Sequence, residues 1–377
     1  MARARAADVN GARELTLFLC GDVMTGRGID QVLPHPVEPT LYESWIADAR
    51  DYVTLAEQAS GPIPRPLEFH EPWGDALAEL MRAAPAARIA NLETSVTNSA
   101  TPWPAKGINY RMHPHNVPCL TVAGLDCCVL ANNHVMDWGV AGLIETLEVL
   151  RAAGIRTAGA GMDAAQARAP AVLATPAGRV LVYACGHESS GIPAAWAATD
   201  APGVNLLPDL SAATAARIGE HCNALRQTGD RLVVSIHWGG NWGHAIPEEH
   251  IGFAHHLIDL AGADVVHGHS SHHAKAVEVY RDHLVLYGCG DLINDYEGIS
   301  GHEAFRGDLS LLYFPRLGAG GELLGMRMTP MRMRRMQLRR VSPEDARWLQ
   351  QTLDRESARF GAGMVLMDGG DLALRWT

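Results

Sequence analysis

The chain has 377 residues, 47% of them hydrophobic and 19% charged, with 31 Lys and Arg against 42 Asp and Glu for a formal net charge of -11. This composition supports a large buried core, and its acidic balance excludes non-specific binding to nucleic acid or an anionic membrane, both of which need a basic surface. No uncharged span approaches membrane length and no apolar leader precedes the first strand, so the chain is expected to be soluble, without a membrane anchor, and cytoplasmic.

The first strand-like run is "LTLFLCGD" (15–22), and residues 31–75, with "LPHPVEPT" and "GPIPRP", read as an irregular lid or cap insertion carrying Tyr42, Trp45 and Trp73. Further apolar runs follow at "ARIANLE" (87–93) and "LDCCVLANNH" (125–134), then a helix at "GVAGLIETLEVLRAAG" (139–154) closed by a glycine. "RLVVSIHWGG" (231–240) and "DVVHGH" (264–269) bracket a second helix, "PEEHIGFAHHLIDLAG" (247–262), which opens with Pro247 and two acids. Continuous apolar strands of this kind are buried on both faces, and their alternation with helices makes the class α/β.

Antiparallel pairing enters late. Residues 274–291 read as two strands around a tight turn, and "DLSLLYFPRL" with "GELLGMRM" as another hairpin, so the sheets are mixed. "MRMRRMQLRR" (331–340) is the one basic run; as a strand it alternates arginines with apolar residues, which suits a solvated face better than a phosphate groove. "SPEDARWLQQTLDRES" (342–357) is a helix with Ser342 as N-cap and Pro343 at its first position. Seven cysteines without CxxC spacing lie mostly in apolar runs and read as reduced core residues.

In open α/β sheets, chemistry collects just past the carboxyl ends of the strands. Those positions hold Asp22, Asn91 and Glu93, Asn132 to His134, His237, and His269 to His273. Any one such residue is more often a cap or a satisfied polar core group. Five strand ends that all carry carboxylate, carboxamide or imidazole, the donors suited to Mn, Fe or Zn, point instead to a metal site. Ten of the 18 histidines fall between His237 and His283, of which His255, His256 and His283 lie on a helix or a turn and suit surface roles.

The ordered series "GDVMTGR", "NLETSVT", "LANNHVMDWG", "SIHWGGNW" and "GHSSH" resembles the CapA or PgsA-like family of poly-γ-glutamate capsule proteins, within the calcineurin-like metallophosphoesterase superfamily. The resemblance implies a calcineurin-like metallophosphatase fold, two mixed β-sheets packed as a sandwich flanked by helices. It places the catalytic domain at residues 1–315, with 316–377 as a strand and helix extension packed on it.

It also implies roles. One or two divalent ions, Mn, Fe or Zn, would be held by Asp22, Glu93, Asn133, His237, His269 and His272, with Asp22 and His272 on the first, Glu93 bridging, and Asn133, His237 and His269 on the second. His134 takes the place of the general acid, with Asp137 as its orienter, while His267 and His273 stand behind the ligands or apart from them. Arg27 and Lys106 are candidate contacts for an anionic substrate. Two features depart from the superfamily: Met24 stands where its first motif usually has histidine, and Glu93 replaces the usual bridging aspartate.

The function implied is a metal-dependent hydrolase that uses metal-bound hydroxide on a phosphoester, or on an amide of a small-molecule or polyglutamate-like anionic substrate. The alternative is a non-catalytic or metal-binding accessory protein of poly-γ-glutamate capsule synthesis. A single-metal site on two histidines and a carboxylate is a third reading, prompted by Met24.

Overall fold

Two sheets grow out of the continuous apolar runs. In the first, Leu15–Val23 is central, with Ala87–Leu92, Cys127–Val129 and Arg156–Ala158 beside it in parallel. Its other flank is antiparallel: Leu309–Leu317, Leu323–Arg334, Leu372–Trp376 and Ala362–Leu366. In the second sheet Arg231–His237 lies between Gly178–Gly186 and Val265–His269, all parallel. The computed structural model describes residues 14–377; the N-terminal stretch read as lacking a leader falls largely in residues 1–13, outside the described residues.

Side-chain alternation along the strands decides how the sheets stack. Leu17 and Leu19 point toward Val182, Val233, Val265 and Leu286 of the second sheet, forming the core between the two. Phe18 and Cys20 point the other way, into a core with Leu80, Leu143 and Leu150 of the outer helices. The far face of the second sheet does the same: Leu181, Val234 and Val266 meet Ile218, Phe253 and Leu257 from the helices Ala212–Asn223 and Glu248–Asp259. The result is a sandwich of two mixed sheets flanked by helices, as the resemblance implied. Each fully buried Leu, Val or Phe contributes about 1.5 to 3 kcal/mol.

Several local readings meet their residues. Ser342 accepts a hydrogen bond from the Asp345 backbone N–H at the start of the helix Pro343–Ser357. All seven cysteines are buried and unpaired, and burial pushes the Cys128 thiol up to about 12. Among the described residues no helix is long and apolar enough to cross a membrane.

Other segments differ. The run 125–134 is a strand only over Cys127–Val129, because the chain turns at the site. The strand Gly178–Gly186 went unread in the sequence, yet it pairs with the whole of Arg231–His237. "MRMRRMQLRR" is a hairpin turning at Arg335 and Met336, at φ of 54° and 56°. Its arginines meet acids on the surface: Arg332 pairs with Asp308 and Asp345, Arg339 with Asp75, and Arg340 with Asp371.

Asp371 gathers most of this charge. Arg340 and Thr329 donate to Oδ1 at 2.6 and 3.1 Å, and Arg82 and Arg327 to Oδ2 at 2.9 and 3.0 Å. Burial opposes its ionisation, but the hydrogen bonds from Arg340 and Arg82 prevail and hold the carboxyl down at about 2, against an ordinary 3.8. A depressed folded value means that the stabilisation is present above about pH 3.8 and is lost as pH falls through about 2. Asp371→Asn is expected to cost about 1 to 2 kcal/mol at neutral pH, allowing for the solvent on the open side, and almost nothing near pH 2. Urea midpoints of parent and variant at both pH values check this; an equal penalty at both would contradict it.

Candidate metal centre

The site forms where strands of both sheets end together. Gly21 lies so close to the crossing chain that a Cβ there would sit 1.8 Å from the Gly290 carbonyl oxygen. That approach lets Asp22 N–H donate to Gly290 O at 3.1 Å and sets Asp22 opposite Asp291 in parallel register. Across the gap between the sheets, His267 Nε2 lies 2.8 Å from Cys20 O. Ser270, next to His269, is held at φ of 104°, where non-glycine backbone is strained, and its N–H points at Asp22 Oδ2 from 3.3 Å.

Two donor groups result, and they share a residue. Ligand atoms of Asp22, His237 and His269 lie within 4.8 Å of one another, as do those of Asp22, His272 and Asp291. Asn91 Nδ2 donates to Asp22 Oδ1 at 2.7 Å and to Glu93 Oε2 at 3.2 Å, so one amide ties two carboxylates together. Asn132 in turn donates to Asn91 Oδ1 at 3.0 Å, and its own oxygen caps the N–H groups of His134 and Val135.

The hydrogen-bond pattern tests whether cations fit. Burial holds His267 down at about 4 and pulls His237 and His269 down too, so all three are neutral. The Cys20 carbonyl requires the His267 proton on Nε2, leaving Nδ1 to accept from Ser235 Oγ at 3.1 Å. Ser235 Oγ then accepts from His269 Nε2 at 2.9 Å, and Asn133 Oδ1 accepts from His237 Nε2 at 3.0 Å. Both Nδ1 atoms are left bare, facing each other at 2.7 Å, with Asp22 Oδ1 4.0 Å from that of His269. Facing lone pairs beside a carboxylate repel unless a cation sits among them.

The carboxylates agree. Burial, then repulsion from Asp291, pushes Asp22 up; burial, then Asp22, pushes Glu93 up as well. Burial alone would lower His272, but Asp291, 2.8 Å from its Nδ1, raises it. Imidazole and carboxylate together are the donor set of Mn, Fe and Zn, and a divalent cation would relieve the crowded negative charge.

His134 stands at the edge. Its Nδ1 is 2.7 Å from Asp137 Oδ2, and its Nε2 is 3.7 Å from Glu93 Oε1. Tyr110 N–H donates to the same Asp137 oxygen at 2.6 Å, which fixes the carboxylate. Burial holds His134 down at about 4.

The structure therefore brings Asp22, Glu93, Asn133, His237, His269 and His272 into one connected set. Lys106 lies at the edge rather than free, 2.7 Å from Asp137 Oδ1 and 3.1 Å from His134 Nδ1, and donating to Ile108 O. Arg27 is buried and committed: Nη1 pairs with Glu43 Oε1 at 2.9 Å, Nε donates to Asp295 Oδ2 at 3.1 Å, and its Cζ lies 3.9 Å over the Tyr52 ring. His273 packs instead with Trp242, His244 and Phe305.

Of the aromatics in residues 31–75, Tyr42 meets Trp138, Trp45 meets Tyr52 while staying 58% exposed, and Trp73 is buried and donates to Cys119 O. The residue that sequence reasoning missed is Asp291. It ends "LYGCGD", so the strand-end rule applied to it too, but that segment read as an ordinary hairpin. Met24 carries no ligand atom for these ions; its sulfur receives the Tyr296 hydroxyl at 3.9 Å.

Residues 16–296 match the family of bacterial capsule synthesis proteins PGA_cap. Over 355 residues, 93% of each chain, the sequence is 47% identical to a probable polyglutamine synthesis accessory protein of Mycobacterium tuberculosis (strain ATCC 25618 / H37Rv). It is 25% identical over 283 residues to the capsule biosynthesis protein CapA of Bacillus anthracis, covering 75% of this chain and 60% of that one. Among solved structures, a 5'-nucleotidase precursor from Thermus thermophilus superposes with a TM-score of 0.45 at 15% identity, over 84% of this chain and 54% of that chain.

Proposed function

The chain belongs to the PGA_cap family of bacterial capsule synthesis proteins, and on that premise we propose that it is a metal-dependent hydrolase serving capsule-polymer synthesis. Its substrate is a phosphoester, or an amide of an acidic, polyglutamate-like molecule. The observation that carries this reading is the pair of donor groups sharing Asp22, with His134 beside them.

Asp22, His237 and His269 would hold one ion, and Asp22, His272 and Asp291 the other, so that Asp291 would supply the donor that Met24 lacks. Glu93 and Asn133 are the remaining donors of the set. Bound ions supply Lewis-acid polarisation of the scissile group and of water.

The protein's own residues handle the proton. Asp137 keeps the His134 proton on Nδ1, so Nε2 is free to take the proton released as water adds. The imidazolium is stabilised by Asp137, and Nε2 then passes its proton to the departing oxygen or nitrogen. Lys106 Nζ pairs with Asp137 Oδ1 at 2.7 Å and helps to hold that carboxylate in place. Arg27, occupied by Glu43 and Asp295, serves to anchor the segment that carries Asp291.

A non-catalytic role, with the same site used only for binding, is favoured by the name of the M. tuberculosis relative, an accessory protein. Elemental analysis of the purified protein, paired with hydrolysis of activated phosphodiesters and γ-glutamyl anilides, separates the two. Mn, Fe or Zn with turnover supports the hydrolase; metal-loaded protein without turnover on either substrate class supports the accessory role.

A further inference from the structure

Away from the metal centre, one residue past Asp137, a cavity of about 470 Å³ opens beside Trp138. Arg111 lines it and is only 7% exposed. Its guanidinium lies 3.7 Å over the Trp138 ring, with Nη1 donating to Ser99 O at 2.6 Å and Nη2 to Glu38 O at 2.9 Å. Nε is buried without a partner, and among the described residues no carboxylate oxygen lies within 4.0 Å of the group.

The contrast with Arg27 is direct. Both guanidiniums are buried against aromatic rings, but Arg27 faces two carboxylates and Arg111 only carbonyls. A guanidinium stays charged in any protein, and burying it with no carboxylate in contact is costly, so a site like this suits an anion from outside.

The acidic groups that face Arg111 act on it only from beyond ion-pair distance. Asp30 spends its oxygens on the N–H groups of Val37 and His113 and on the Asn116 amide. Glu38 borders the cavity and is exposed, with its carboxylate in no ion pair among the described residues. Burial draws Arg111 down from its ordinary pKa despite Asp30, Tyr42 and Glu38.

We propose that this cavity binds a small oxyanion, a carboxylate or a phosphate group, at Arg111 and apart from the metal centre. The planar fork of the guanidinium matches either group. Residues with further donors line the same cavity: Asn98, Thr40 and His113, whose Nδ1 is taken by His115 N–H, which leaves Nε2 to donate. A volume of this size admits the anion together with the small molecule that bears it.

Calorimetric titration of the metal-loaded protein with inorganic phosphate, and separately with acetate, tests the site. Asp22 belongs to both donor groups, so Asp22→Asn is expected to remove phosphate binding at the metal centre together with both ions, and binding that persists in it belongs elsewhere. That persisting binding is expected to weaken about tenfold or more in Arg111→Gln, and several-fold in Asn98→Ala or His113→Gln, which perturb folding less. Glu38→Gln should strengthen it by removing a competing carboxylate. Persistence for phosphate alone marks a phosphoryl ligand, and for acetate alone a carboxylate. Loss of all anion binding in Asp22→Asn, or binding unchanged by Arg111→Gln and Asn98→Ala, would overturn the proposal whatever the metal centre does.

Discussion

Asp22→Asn is expected to lose both metal ions at once, whereas His237→Ala and His272→Ala each lose one. Asp22 alone belongs to both donor groups, so the pattern of stoichiometries follows from the geometry. Loss of a ligand's partner already costs about 10- to 100-fold in affinity, and loss of a ligand should cost more. A second readout has the opposite sign. Without metal, Asp22, Glu93 and Asp291 crowd one buried place, and burial with mutual repulsion pushes Asp22 and Glu93 up. Asp22→Asn should therefore raise the melting temperature in chelator and lower it in excess metal, where binding at about 100 times Kd stabilises the parent by about 2.7 kcal/mol. Elemental analysis and melting curves with and without chelator check both halves. Full occupancy in all three variants would remove the ligand assignment.

His134→Ala is expected to keep its metal and lose about 100- to 10,000-fold in kcat, the usual contribution of a positioned proton-transfer group. The basis is its placement: Nδ1 is tied to Asp137 at 2.7 Å, and Nε2 approaches Glu93 without being one of the clustered ligand atoms. Asp137→Asn should cost less than His134→Ala while moving the pH profile, because it disturbs the tautomer and leaves the ring in place. The charge that Asp137 lends an imidazolium is then missing, so the proton on Nε2 is held less tightly. A metal-loaded His134→Ala protein as active as the parent on activated phosphodiesters would show that the ring is structural.

Much of the site was legible in the sequence because buried parallel strands leave a plain signature. A strand covered on both faces must be apolar throughout, so the first polar residue after the run marks where the sheet ends and chemistry can begin. Asp22, Glu93, Asn133, His237, His269 and His272 were all found that way, and the family motifs then gave them roles. The same rule applies to Asp291, but residues 274–291 read as an ordinary hairpin, whose turn the structure places at Arg281 and Asp282. The strand Gly178–Gly186 was missed because its run ends in Gly186, with no ligand to flag it.

Composition, periodicity and strand ends thus determined the class, the alternating layers and the residue types at the site, since each depends on burial that is written locally along the chain. Tertiary structure alone decided which of those residues meet. Asp291 becomes a partner of Asp22 only because Gly21 and Gly290 let two backbones touch. The bare nitrogens of His237 and His269 follow from a chain of hydrogen bonds through Ser235, His267 and a carbonyl of the other sheet. Arg27 and Arg111 are alike in sequence, polar residues in mixed segments, yet one is matched by acids 16 and 268 positions away and the other is not. Long-range pairing of charge has no local signature, because the energy that makes it matter comes from burial that only the assembled fold provides.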